Sequence, residues 1–118
     1  MELIKELQKQ KKAFSTEDYR MLEAVKAGNY FLSIQGSNTH YCTPKKSLPV
    51  DMYSEMELAI FNKKGKMVSV NRSNVFRKFS RYSELVERAD FLNSTATVYG
   101  YVSVDLLNEL YCFLIFNL

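Results

Sequence analysis

Residues 53–70 read Y-S-E-M-E-L-A-I-F-N-K-K-G-K-M-V-S-V, and the fold class turns on them. Met56, Leu58 and Ile60 alternate with Glu55, Glu57 and Ala59, the period of two that a half-buried strand needs. Asn62-Lys63-Lys64-Gly65 then breaks the alternation, with glycine where a turn requires positive φ. Residues 66–70 follow as the expected return arm of a hairpin.

Upstream, Tyr30, Leu32 and Ile34 alternate with Phe31, Ser33 and Gln35 until Gly36-Ser37-Asn38 punctuates the run, a second strand. Residues 40–43 read as a returning arm ended by Pro44, and residues 44–52 as a loop holding both prolines. Ser15 and Asp18 have the spacing of a capping box, and Phe14 and Tyr19 that of a hydrophobic staple. Tyr19, Leu22 and Val25 recur every three residues before Gly28, so the pattern predicts a helix over 15–27. Leu3, Ile4 and Leu7 give residues 2–12 an apolar stripe, either a separate helix or a fraying extension.

Downstream, a short helix is predicted over 82–89 and a strand over 95–102, with Tyr99 and Tyr101 on one face. Ser103 is placed to cap a last helix, with Val102 and Leu107 as its staple and Asp105 complementing the dipole in the first turn. Hairpins separated from helices argue against a parallel sheet. The expectation is an α+β fold in one domain over 1–118: three to five antiparallel strands, with helices on one face, including an N-terminal and a C-terminal helix.

A chain of 118 residues that is 47% hydrophobic and 25% charged can bury one core, and is far from the disordered class. Two cysteines 70 positions apart make no disulfide framework and no zinc spacing. A single histidine removes histidine-pair metal sites. The sequence has no phosphate loop, nucleophile elbow or His-Glu-x-x-His motif. No catalytic residue, cofactor or metal is therefore expected. The one suggestive pair, His40 and Cys42, would share a side of a strand, but roughly 6–7 Å apart, too far for a direct hydrogen bond. Glu55 and Glu57 read as the solvent face of the strand. Charged residues near the N-terminus and an apolar run of only seven residues, 110–116, predict a cytoplasmic protein with no membrane span.

Charge is distributed unevenly. Residues 58–83 hold seven bases and no acid, whereas the rest holds nine bases and thirteen acids; the net +3 is a +7 segment offset by a −4 remainder. Lys63, Lys64, Lys66, Arg72, Arg77, Lys78 and Arg81 interleave with Phe61, Phe76, Phe79 and Tyr82. Cations neutralise phosphates and rings stack on bases, so this basic and aromatic surface suits nucleic acid. It equally suits an acidic partner protein, or protection of a sheet edge by lysine. Tyr99 and Tyr101 are expected to project together as an interface patch. The last helix is apolar on nearly every side, so Phe113, Ile115 and Phe116 are expected either to dock on a second copy, as a homodimer, or to sit inside the core.

The Tyr41-Cys42-Thr43-Pro44 loop, the Met56-Glu57-Leu58-Ala59-Ile60-Phe61 strand with its Lys63-Lys64-Gly65 turn, and Val98-Tyr99-Gly100-Tyr101-Val102 leading into a terminal helix together form a pattern. It resembles small orphan proteins encoded by bacteriophages and prophages, over residues 41–66 and 95–110. That class has no shared activity and includes anti-defence inhibitors, host-takeover factors and accessory proteins. The resemblance implies a non-catalytic protein that docks on a larger host or defence-system protein in the bacterial cytoplasm, an anti-CRISPR being one concrete form. The alternative is a nucleic-acid-binding accessory protein that uses residues 58–83. The strongly apolar residues 111–118 depart from the pattern, and no functional residue is carried over from it.

Overall fold

The computed structural model describes residues 2–15, 19–93 and 96–116, and the side chains of these except 13–15. In order, the chain forms α1 (Glu2–Lys9), β1 (Lys12–Ser15), β2 (Arg20–Leu22), β3 (Val25–Ala27), β4 (Tyr30–Gln35), β5 (Glu55–Asn62), α2 (Asn74–Arg77), α3 (Tyr82–Glu87), β6 (Ala89–Asn93), β7 (Ala96–Ser103) and α4 (Val104–Phe116). Short 3₁₀ turns occupy Val50–Met52 and Val70–Arg72. Strands β3-β4-β5-β7-β6 make one antiparallel sheet in that order, and β1 and β2 pair apart from it. The fold is α+β, with N-terminal and C-terminal helices.

β5 is the middle strand. Its Met56, Leu58 and Ile60 are completely buried, and register sets Leu32 opposite Ile60 and Ile34 opposite Leu58 on the same face. Val25, Tyr99 and Val102 extend this face through their own pairings. α4 packs over it against β3 and β7, and α1 lies against α4. Leu106, Leu107, Leu110, Tyr111 and Leu114 form the inward face of α4. Ser103 caps that helix as its position predicts: its Oγ accepts the Leu106 N–H at 3.1 Å. Asn108 accepts the Leu3 N–H at 3.1 Å, satisfying a first-turn donor of α1 from the opposite end of the chain.

The structure departs from the sequence pattern in four places. Within the predicted helix 15–27 lie β2 and β3; Ser15's side chain and Asp18, the intended capping box, fall outside what is described. Arg20 and Leu22, then Val25 and Ala27, are buried in two short alternating runs. A break between two such runs puts Leu22 and Val25 three apart, which imitates a helical face. Gly28, at φ 62°, turns the β3–β4 hairpin instead of capping a helix.

Residues 40–43 do not return along β4; they cross to β5 through a single bridge, Thr43 to Glu55. The arm at 66–70 is likewise reduced to one bridge, Phe61 to Met67, because β7 occupies that side of β5. Finally, between the pairs Met56–Val102 and Leu58–Tyr99, β7 takes three steps where β5 takes two. This bulge puts Tyr101 at φ 52°, with its N–H donated to Tyr41 O at 2.9 Å.

Gly36 ends β4 against the face of Tyr53, and a Cβ there would come within 2.5–2.9 Å of three ring carbons. The ring cannot retreat, because its hydroxyl is held by Leu48 N–H at 2.8 Å and by Arg20 at 3.1 Å. Gly36→Ala is therefore expected to lower unfolding free energy by about 1–3 kcal/mol, the usual range for overpacking, with an unchanged m-value in urea.

Candidate functional site: a buried polar cluster and two surface concavities

The loop after β4 collects polar groups that the core has to satisfy. Arg20, only 7% exposed, donates to Leu48 O at 2.6 Å and Gly36 O at 3.0 Å as well as to Tyr53. Its charge thus meets neutral acceptors that tie β2 to the chain at 36, 48 and 53. Gln35 works similarly: its side chain accepts the Leu22 N–H at 2.7 Å and donates to Leu22 O at 2.8 Å. An amide side chain thus takes the place of a backbone partner beside β2.

Below this knot, Ser37 Oγ lies 2.6 Å from His40 Nδ1, and His40 Nε2 lies 3.7 Å from Glu57 Oε2. A serine, a histidine and a carboxylate in a row suggest hydrolase chemistry. The environment argues for structure instead. Ser37 is wholly buried, and its Oγ also contacts Thr39 Oγ1 at 3.2 Å and accepts the Thr39 N–H at 3.3 Å, closing a local turn. Tyr19 stacks on the imidazole at 5.2 Å between centroids. Cys42, also fully buried, donates its thiol to Ser37 O and Pro44 O, each at 3.3 Å. The histidine nitrogens face Ser37 and Glu57, while the thiol proton is committed to two carbonyls. Sequence reasoning missed this cluster because Glu57 looked like part of a solvent face; Gly36-Ser37, which ends a strand one turn before the only histidine, was the available signal.

Burial holds the His40 pKa below its usual value, and the nearby Arg20 charge lowers it further. Burial also raises Glu57, against the opposing pull of the Tyr41 backbone and Lys45.

The predicted basic and aromatic surface divides. Lys63, Lys64 and Lys66 are exposed around the β5 turn, where Asn62 Oδ1 accepts the N–H groups of Lys64 and Lys66 at 2.9 and 3.0 Å. Lys63 and Lys64 line a concavity of about 320 Å³ with Asn29, Tyr30 and Asn62. Arg72, Arg77 and Lys78 are exposed further along, with Arg77 donating to Asn71 O at 2.6 Å. Phe76 is not a surface ring: it is completely buried, edge-on to Tyr30 at 4.9 Å. Tyr82 is half-buried against the core. Arg81 is not a free cation either. It meets Glu84 at 2.7 Å, Asp105 at 2.8 Å and Glu109 at 3.3 Å, and the bonds to Glu84 and Asp105 raise its pKa.

The Tyr99–Tyr101 patch is overturned by the bulge. Tyr99 is fully buried and accepts the Val70 N–H at 3.0 Å, while Tyr101 packs beside Tyr41 at 5.9 Å. Of the residues expected at a C-terminal interface, Ile115 and Phe113 are half-buried, the latter 5.3 Å from Phe79, whereas Phe116 is 80% exposed. Phe79, Ser80, Glu109, Cys112, Phe113 and Phe116 line a groove of about 440 Å³. On the sheet edge, β6 presents Phe91 and Leu92, 53% and 59% exposed, an apolar pair that the sequence reading did not single out. No described helix is long and apolar enough to cross a membrane. Compared with known protein families, curated proteins and solved structures, the chain matches none.

The buried histidine gives the fold an acid-side weakness. Because His40 titrates lower folded than unfolded, the unfolded chain binds the proton first as pH falls. Its contribution is fully present above about pH 6.5 and is lost below it, down to the folded pKa. Glu57 acts with the opposite sign, since the folded state takes up its proton first. The melting temperature of the wild type should therefore drop between pH 7.5 and 5.5, and His40→Gln should flatten that drop, as followed by circular dichroism.

Proposed function

We propose that the chain is a small non-catalytic binding protein that docks on a larger bacterial protein or complex. This is the mode of action implied by its resemblance to phage and prophage proteins. An anti-defence inhibitor, an anti-CRISPR among them, is the concrete form, acting in the bacterial cytoplasm. The observation that carries the reading is the groove beside α4. An aromatic floor of Phe79 and Phe113 opens next to Phe116, a large apolar side chain held 80% in solvent. Exposed apolar surface of this kind marks interaction sites, and buried aromatic anchors dominate the energy of interfaces. The polar cluster around His40 is the nearest approach to catalytic chemistry, and its serine is sealed from substrate.

A second reading has its own support. The concavity of Asn29, Tyr30, Asn62, Lys63 and Lys64 joins two cations to a half-exposed ring, as a nucleic-acid contact requires.

Affinity purification from host lysate tests the first reading. A stoichiometric protein should be recovered with the wild type and lost with Phe116→Ser, which leaves the core untouched; recovery of none, or of one indifferent to that change, overturns it. If the second holds, affinity for single-stranded nucleic acid falls steeply between roughly 50 and 200 mM salt, and Lys63→Glu with Lys64→Glu abolishes it. Absent or salt-independent binding removes it.

A further inference from the structure

The partner's chemistry is written on the rim of the α4 groove. α4 carries two stripes. Leu106, Leu107, Leu110, Tyr111 and Leu114 enter the core. Glu109, Cys112, Phe113 and Phe116, at i, i+3, i+4 and i+7, line the groove. Its volume, about 440 Å³, can hold the apolar side chains of one helical face. No strand lines it among the described residues, so an entering chain finds no backbone ladder to extend; a helix, which satisfies its own backbone, is the element that fits.

The rim is acidic although the protein is basic. Around Arg81 stand the carboxylates of Glu84, Asp105 and Glu109, with side chains 55%, 72% and 46% exposed. The Arg88 charge also acts on Glu84, so three negative charges stand against two positive ones and leave a surplus of one at the groove, on a chain of net charge +3. That surplus also decides against a second copy. Residues 104–118 contain no lysine or arginine, so pairing α4 with its own image would set acid against acid.

We propose that the groove receives a basic amphipathic helix of the partner protein. Its apolar side chains would lie on Phe79, Phe113 and Phe116, and its lysines or arginines would reach Asp105 and Glu109. The assignment rests on the docking reading above and adds the partner's chemistry to it.

Two synthetic helical peptides with the same leucine-rich face, one with lysine and one with glutamate on its polar face, are titrated into the isotope-labelled full chain. The lysine peptide should shift the amides of Phe79, Ser80, Arg81 and residues 109–116 saturably, and the glutamate peptide should not. Neutralising the rim with Asp105→Asn and Glu109→Gln should weaken binding about fivefold, the effect of two exposed ion pairs. Phe116→Ser should weaken it further. Equal binding of both peptides, or shifts centred elsewhere, overturns the assignment. So does a concentration-dependent doubling of the 13.7 kDa mass without peptide, which identifies a second copy as the occupant. If the lysine peptide fails while a lysate partner is still captured and is lost with Phe116→Ser, docking stands and the basic helix falls.

Discussion

β5 has to be the middle of the sheet, and most of the molecule follows from that. Met56, Leu58 and Ile60 are wholly buried on one face, so a shift of one residue would turn all three to the opposite side. Fixing them fixes Leu32 and Ile34 on β4, then Val25 on β3, and on the other flank Tyr99 and Val102. The face so assembled is apolar across β3, β4, β5 and β7 and is covered by α4. α4 can be apolar on nearly every side because its inward stripe meets this sheet and α1, while its second stripe lines a groove.

How much of this was legible depends on the length over which a pattern repeats. β5, with its turn, repeats a period of two over eight residues and was readable, as were β4, β7, α3 and the Ser103 cap. β2 and β3 span three residues each, too few for any period to declare itself, and their offset mimicked a helix. The bulge in β7 has no sequence signature beyond a glycine beside Tyr101, yet it moves Tyr99 from a presumed surface into the core. Local alternation could not reveal a step set by a contact between Tyr101 and Tyr41.

The candidate surfaces show the same limit in electrostatic form. A count along the chain treats Arg81 as one of seven bases. In space it is enclosed by carboxylates from α3 and α4, and its neighbourhood changes sign. Lys63 and Lys64 keep their character because the turn after β5 leaves them exposed beside Tyr30. The Ser37, His40 and Glu57 cluster draws on residues separated by as many as twenty positions, brought together by the β4–β5 pairing that sets Glu57 opposite Gln35.

The hydrogen bond from Leu3 to Asn108 spans 105 positions. At ribosomal rates of about 5–20 residues per second, α1 has emerged for several seconds before its partner helix exists. Leu3 and Leu7, completely or nearly buried in the finished protein, must wait that long without their final cover. The β3–β4 hairpin can form early, but the last layer closes only when α4 leaves the exit tunnel. Synthesis thus passes through an interval in which a bare apolar helix is available to chaperones, and premature release would leave it so.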